Sequence, residues 1–112
     1  MSDVLADLEQ ISQERLSAAP EDSYVASLHA AGLNKILEKV GEESFEVVLA
    51  ARDCETSENK TTVVEETADL LFHTLVMLAH LGLSHRDVLD VLAQRQGLSG
   101  IAEKASRGKN QA

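Results

Sequence analysis

Little in this chain can fasten a fold other than packing. It has one cysteine, Cys54, so no disulfide can form within it, and one proline, Pro20. Tryptophan is absent, and Tyr24, Phe45 and Phe72 are the only aromatic residues. A core must therefore be assembled from Leu, Val, Ile and Ala, a palette that points to helices. The opening MSDVLADLEQ lacks the basic and apolar regions of a secretory signal. Nor does any run reach the roughly 18 consecutive apolar residues of a membrane span. The richest, from Leu70 to Leu83, is interrupted by His73, Thr74 and His80. A cytoplasmic protein with no membrane partner is expected.

Basic residues are scarce as well: ten against nineteen acidic ones, a net charge of -9. That sign opposes the phosphate backbone that dominates nucleic-acid affinity, so nucleic acid is not an expected partner. A small anion remains open to such a chain if bound cations reverse the field locally, because a metal ion is usually the largest charge in its site. What matters, then, is where cations can sit.

The chain has 112 residues, enough for one domain with one modest core. The expected domain covers 1–107, with 108–112 as a disordered polar tail. Apolar spacing predicts an all-α bundle of about five helices. The first runs from Asp3 to Ala19 and is stopped by Pro20. Ser23 caps a short second helix that ends at Gly32. The third spans Leu33 to Arg52, with Gly41 inside it at a cost of ~1 kcal/mol relative to alanine, a hint of close packing or a nearby ligand. The polar stretch from Cys54 to Lys60 reads as the connection to a fourth helix, Thr61 to Leu81. Ser84 and Asp87 form a capping-box signature for the fifth, which ends near Gln94. From Leu70 onward the fourth helix is apolar over most of its circumference, and such a helix must be covered on all sides. One small chain can hardly supply that cover, so a homo-oligomer, in the first instance a dimer, is expected.

The acidic residues are not scattered. On a wheel of about 100° per residue, Glu43 borders the apolar stripe of Ile36, Val40 and Val47, and shares a face with Lys39 and Glu46. Glu42 is rotated outward by roughly 100°. On the fourth helix, Glu66, Asp69 and His73 share a face within about 60° of one another. On a buried helix such carboxylates are costly unless paired or bound to a metal. Two antiparallel helices, each offering carboxylates at i and i+3, would make a cage of hard oxygen ligands suited to Mg²⁺ or Mn²⁺ rather than zinc or copper. One acid pair alone usually means a solvated face; two pairs beside apolar positions favour the metal. Lys39 has two readings, an i+4 partner of Glu43 or a substrate contact. His73 likewise is either a packed, hydrogen-bonded core residue or a contact to the site.

These residues form motifs. GEESFEVVLAA followed by VVEETADLLFH resembles the EExxE and ExxD signature of the all-alpha nucleotide pyrophosphohydrolases, the MazG-like superfamily. Three stretches are similar more specifically to the phosphoribosyl-ATP pyrophosphohydrolase family: PEDSYVASLHAAGLNKILEKVGEE, EETADLLFHTLVMLAHLGLS and the ending GLSGIAEKASR. The resemblance spans Leu5 to Arg107. It implies hydrolysis of phosphoribosyl-ATP to phosphoribosyl-AMP and pyrophosphate, the second step of histidine biosynthesis, by a helical homodimer. It also implies metal ligands at Glu43, Glu46, Glu66 and Asp69. Many members are fused to phosphoribosyl-AMP cyclohydrolase; this chain is not, so a separate cyclohydrolase is expected. A house-cleaning nucleoside triphosphate pyrophosphatase is the alternative, since the acidic signature alone fixes only the class.

Such a reaction needs positioning and charge neutralisation more than covalent chemistry. Four carboxylates exceed what one Mg²⁺ takes, so two or more ions fit the expectation. Glu42 or Glu46 would accept the proton of the attacking water. The scarce basic residues mark the nucleotide substrate's place. Lys35 and Lys39 lie on the Glu46 side of the third helix, and Lys104 and Arg107 lie in the glycine-punctuated ending.

Overall fold

The computed structural model describes residues 3–96. Their regular structure is entirely helical, with no strand among them: α1 Val4–Glu14, α2 Tyr24–Ala31, α3 Leu33–Ser57, α4 Lys60–His80 and α5 His85–Arg95. The ending with Lys104 and Arg107, and the expected tail 108–112, lie outside the described residues.

Short polar side chains start most of these helices by accepting a main-chain N–H that would otherwise lack a partner. Asp3 accepts from Ala6 at 3.1 Å, Ser23 from Ala26 at 3.0 Å and Asn59 from Thr62 at 3.2 Å. At α5 the capping box is complete, with Asp87 returning an acceptor to the Ser84 N–H at 3.0 Å. Gly32 joins α2 directly to α3 at φ 100°, a conformation that side chains rarely tolerate.

Two boundaries differ from expectation. α1 gives way after Glu14 to two 3₁₀ turns, Arg15–Ser17 and Pro20–Asp22, instead of running on to Ala19. α3 continues past Arg52 to Ser57, leaving only Glu58 and Asn59 as the connection. The polar residues expected to form a loop include no helix breaker. Asp53 anchors the last turn instead, taking hydrogen bonds from Ser57 Oγ at its carboxylate and from Thr56 Oγ1 at its carbonyl, at 3.1 and 3.2 Å. Glu58 then ends the helix in the left-handed region at φ 60°.

α3 and α4 form a long antiparallel hairpin, the main packing pair of the molecule. α2 closes one end of it, where Val25 and Leu28 meet Ile36 of α3 and Val76 of α4, flanked by Phe72 and Met77. α1 lies across α4, and α5 leaves α4 at 111°. Among the described residues no single helix is long and apolar enough to cross a membrane.

One chain covers the C-terminal half of α4 better than expected, burying His73, Leu75, Val76, Leu78 and Ala79. Exposed apolar side chains remain there at Leu71 and lie also at Val64 of α4, on Leu37, Phe45, Val48 and Leu49 of α3 and along α5. Nor does Gly41 mark close packing among the described residues, where a side chain at that position would have open space.

Candidate active site

The hairpin sets the acidic face of α3 against that of α4. Glu43, Glu66 and Asp69 each bring one carboxylate oxygen to within 4.8 Å of the other two. Glu43 descends from the apolar stripe of α3, so its side chain is only 14% exposed, against 51% for Glu42 one position earlier. Asp69 is exposed and Glu66 half-buried, which corrects the expectation of carboxylates on a buried helix. The buried half of α4 begins at His73; before that residue α4 is open on the side away from α3.

Glu46 is not one of the three, yet it faces them. Desolvation, then the charges of Asp69, Glu46, Glu43 and Glu65, push the Glu66 carboxyl above its ordinary value. Partial burial and the crowding of acids both disfavour its charged form, and a divalent cation would relieve that. The donor set is all carboxylate oxygen, which fits Mg²⁺ or Mn²⁺.

Lys39 borders the cluster, with Nζ 3.1 Å from Glu42 and 3.9 Å from Glu43. The hydrogen bond from Lys39 holds the Glu42 carboxyl below its ordinary value. Lys39 in turn is raised, first by that bond and, against desolvation, by the fields of Tyr24, Glu42 and Glu43. Glu42 thus belongs to the lysine rather than to the cluster. Lys35 pairs with Glu38 at 3.6 Å and is not drawn in. Lys104 and Arg107 fall outside the described residues.

His73 is buried one turn beyond Asp69, and its Nδ1 lies 2.8 Å from the Asp69 carbonyl oxygen. A carbonyl only accepts, so Nδ1 carries the proton. In the neutral ring Nε2 is then an acceptor, and Tyr24 donates its O–H to it at 2.9 Å. The ring of Tyr24 also stacks on Phe72, with centroids 6.3 Å apart at 17°. Tyr24 was not among the residues singled out by sequence. It is 49 positions from His73, and only the docking of α2 on the hairpin brings the two together.

An antiparallel helix pair bearing facing carboxylates is the arrangement expected of an all-alpha nucleotide pyrophosphohydrolase. Residues 5–96 match the family described as phosphoribosyl-ATP pyrophosphohydrolase. Over 111 residues the chain is 52% identical to a protein named phosphoribosyl-ATP pyrophosphatase from Hydrogenovibrio crunogenus, covering 99% of this chain and 98% of that relative. The chain belongs to the phosphoribosyl-ATP pyrophosphohydrolase family.

Proposed function

We propose that this chain hydrolyses phosphoribosyl-ATP to phosphoribosyl-AMP and pyrophosphate, in histidine biosynthesis, with Mg²⁺ held by Glu43, Glu66 and Asp69 and with Glu46 completing the set. Family membership across residues 5–96 supports the reaction. The observation that supports the metal is the approach of three carboxylates from two helices to within 4.8 Å.

Mg²⁺ bound there would neutralise phosphate oxygens, offset the charge of the leaving pyrophosphate and orient a water. The chain's own residues do the rest. Glu46 lies close enough to raise Glu66 and pairs with no lysine among the described residues, whereas Glu42 is committed to Lys39. Glu46, giving at most one oxygen to the ion, keeps the other for the water's proton and is therefore the better general base of the two. Lys39, at the edge of the cluster, is placed to meet a phosphate oxygen once substrate competes with Glu42 for it. His73 contributes by position, tying the main chain at Asp69 to Tyr24.

The active form is a homodimer in this reading. Leu37, Gly41, Phe45 and Val48 fall along one exposed stripe of α3, with Phe45 61% exposed. The Cα radius of gyration is 16.7 Å, against ~13 Å for a compact chain of about 100 residues. The stripe supports a partner packed on α3 and the extended shape accords with one, and light scattering reads the mass directly. A cytoplasmic location accords with the free Cys54.

The test is pyrophosphate release from phosphoribosyl-ATP beside ATP and dCTP, with Mg²⁺ and with a chelator. Release confined to phosphoribosyl-ATP and abolished by the chelator is expected. Equal turnover of ATP or dCTP would replace this reading with a general nucleotide pyrophosphatase.

A further inference from the structure

Tyr24 is anchored at both its hydroxyl and its ring although half of its surface is exposed. Phe72 lies nearly parallel to the ring in an offset stack, and His73 meets it edge-on. The hydroxyl proton is committed to His73 Nε2, because His73 Nδ1–H is already given to the Asp69 carbonyl. The phenol oxygen therefore presents only lone pairs outward, and no other hydrogen bond occupies it among the described residues. His73 stands four residues beyond Asp69, about 6 Å along the helix axis, and the field of Tyr24 reaches Lys39 at the rim of the carboxylate cluster.

We propose that Tyr24 is a substrate-binding residue that seats the adenosine part of the nucleotide: its half-exposed ring stacks on the base, and its phenol oxygen accepts a hydrogen bond from a ribose hydroxyl. The proposal rests on the pyrophosphohydrolase reading above and deepens it. Loss of pyrophosphate from a nucleoside triphosphate breaks the anhydride between the first and second phosphates, so the ribose is one ester linkage from the reacting phosphorus. Tyr24 is joined through His73 to the main chain at Asp69, so a sugar and base held there lie on the same side of the hairpin as the carboxylates. Exposed aromatic rings take bases by stacking because every base has a π-face. An oriented acceptor adds preference for a hydroxyl-bearing sugar.

The chain itself supplies the probe, since Tyr24 is its single tyrosine and tryptophan is absent. Tyrosine emission of the full chain, corrected for nucleotide absorbance, is titrated with AMP, ribose 5-phosphate and pyrophosphate, each without metal. Saturable quenching by AMP is expected, weaker quenching by ribose 5-phosphate and none by pyrophosphate. In calorimetry Tyr24→Phe should weaken AMP binding about fivefold by losing one neutral hydrogen bond. Tyr24→Leu should weaken it about thirtyfold by losing the stacking surface too. In turnover both variants should raise KM by similar factors, keep kcat within about threefold, and bind Mn²⁺ as the parent does. Absent AMP binding, or AMP binding by Tyr24→Leu with parental affinity, overturns the proposal. So does a loss confined to kcat or Mn²⁺ affinity, which would make Tyr24 only a prop for His73. Wild-type turnover of phosphoribosyl-ATP, read in the same series, reports on the underlying reading separately.

Discussion

The Glu9 carboxylate accepts both the main-chain N–H of His85, at 2.7 Å, and its ring Nδ1–H, at 3.1 Å, across 76 positions of sequence. Its second oxygen accepts the Ser84 hydroxyl at 3.1 Å. One side chain of α1 thereby secures the start of α5, whose apolar residues Val88, Leu89, Val91 and Leu92 are otherwise exposed. Glu9→Ala should cost about 2 kcal/mol, the range for hydrogen bonds to a charged group. Amide exchange should quicken in α5 before it quickens in α4. Unchanged exchange in α5 would show that the helix is secured by other means.

The same carboxylate gives a pH dependence with a definite sign. Burial works to raise Glu9, but the bonds from the His85 main chain, the His85 ring and Ser84 outweigh it and leave the group below its ordinary 4.5. A depressed acid contributes stability above its unfolded value and loses it as the pH falls through the folded one. Glu66 is opposite, being raised above 4.5 by desolvation and by neighbouring acids. Its protonated form favours the fold, and that contribution is lost as the pH rises through the folded value. Metal-free Glu66→Gln should therefore melt higher than the parent at pH 7, with the difference shrinking toward pH 4. Mg²⁺ should raise the parent's melting temperature and barely move the variant's. A variant that melts lower than the parent in the absence of metal would contradict the crowding of acids seen here.

His29 and His80 meet through their Nδ1 atoms at 3.0 Å. His29 Nε2 faces the Ser12 carbonyl at 3.1 Å, so it carries the proton, and Nδ1 accepts from His80. Desolvation and the neighbouring His80 hold His29 below its ordinary 6.5. A histidine with a lowered folded value contributes fully above its unfolded value, and that contribution is lost as the pH falls below it. Melting temperature should decline on acidification from about pH 7, and His29→Gln should flatten that decline. Identical pH profiles for parent and variant would remove the pair as its origin.

The helices were legible in the sequence wherever a start signal stood beside an apolar period. Ser23 and Ser84 show this, each capping the helix expected of it. The end of α3 was not legible, because polarity between Cys54 and Ser57 was read as loop although nothing there breaks a helix. The acidic face was legible from 100° spacing, since Glu43, Glu66 and Asp69 each lie beside apolar positions that the hairpin must bury. Tyr24 was beyond such reasoning: its meeting with His73 depends on how α2 docks, a tertiary fact with no periodic trace. Gly41 shows the same limit, its surroundings being open among the described residues.

Glu42 and Glu43 are adjacent in sequence and opposite in commitment, which offers the sharpest check on the metal assignment. Glu43 is largely buried and lies within 4.8 Å of Glu66 and Asp69. Glu42 is exposed, hydrogen-bonded by Lys39 at 3.1 Å and held below its ordinary value by that bond. Replacing Glu43 by Gln keeps shape and removes a charged ligand, so Mn²⁺ affinity should fall by more than the roughly tenfold typical of losing even an outer-shell partner. Replacing Glu42 by Gln leaves all three clustered oxygens in place and frees Lys39, which remains near Glu43. Mn²⁺ affinity should then stay within about threefold of the parent, with any effect appearing in KM as Lys39 loses its fixed position. Paramagnetic relaxation of water during Mn²⁺ titration reads both variants. Equal losses of affinity would mean that the two glutamates share the ion, and that the α3 contribution to the site is wider than one turn of helix.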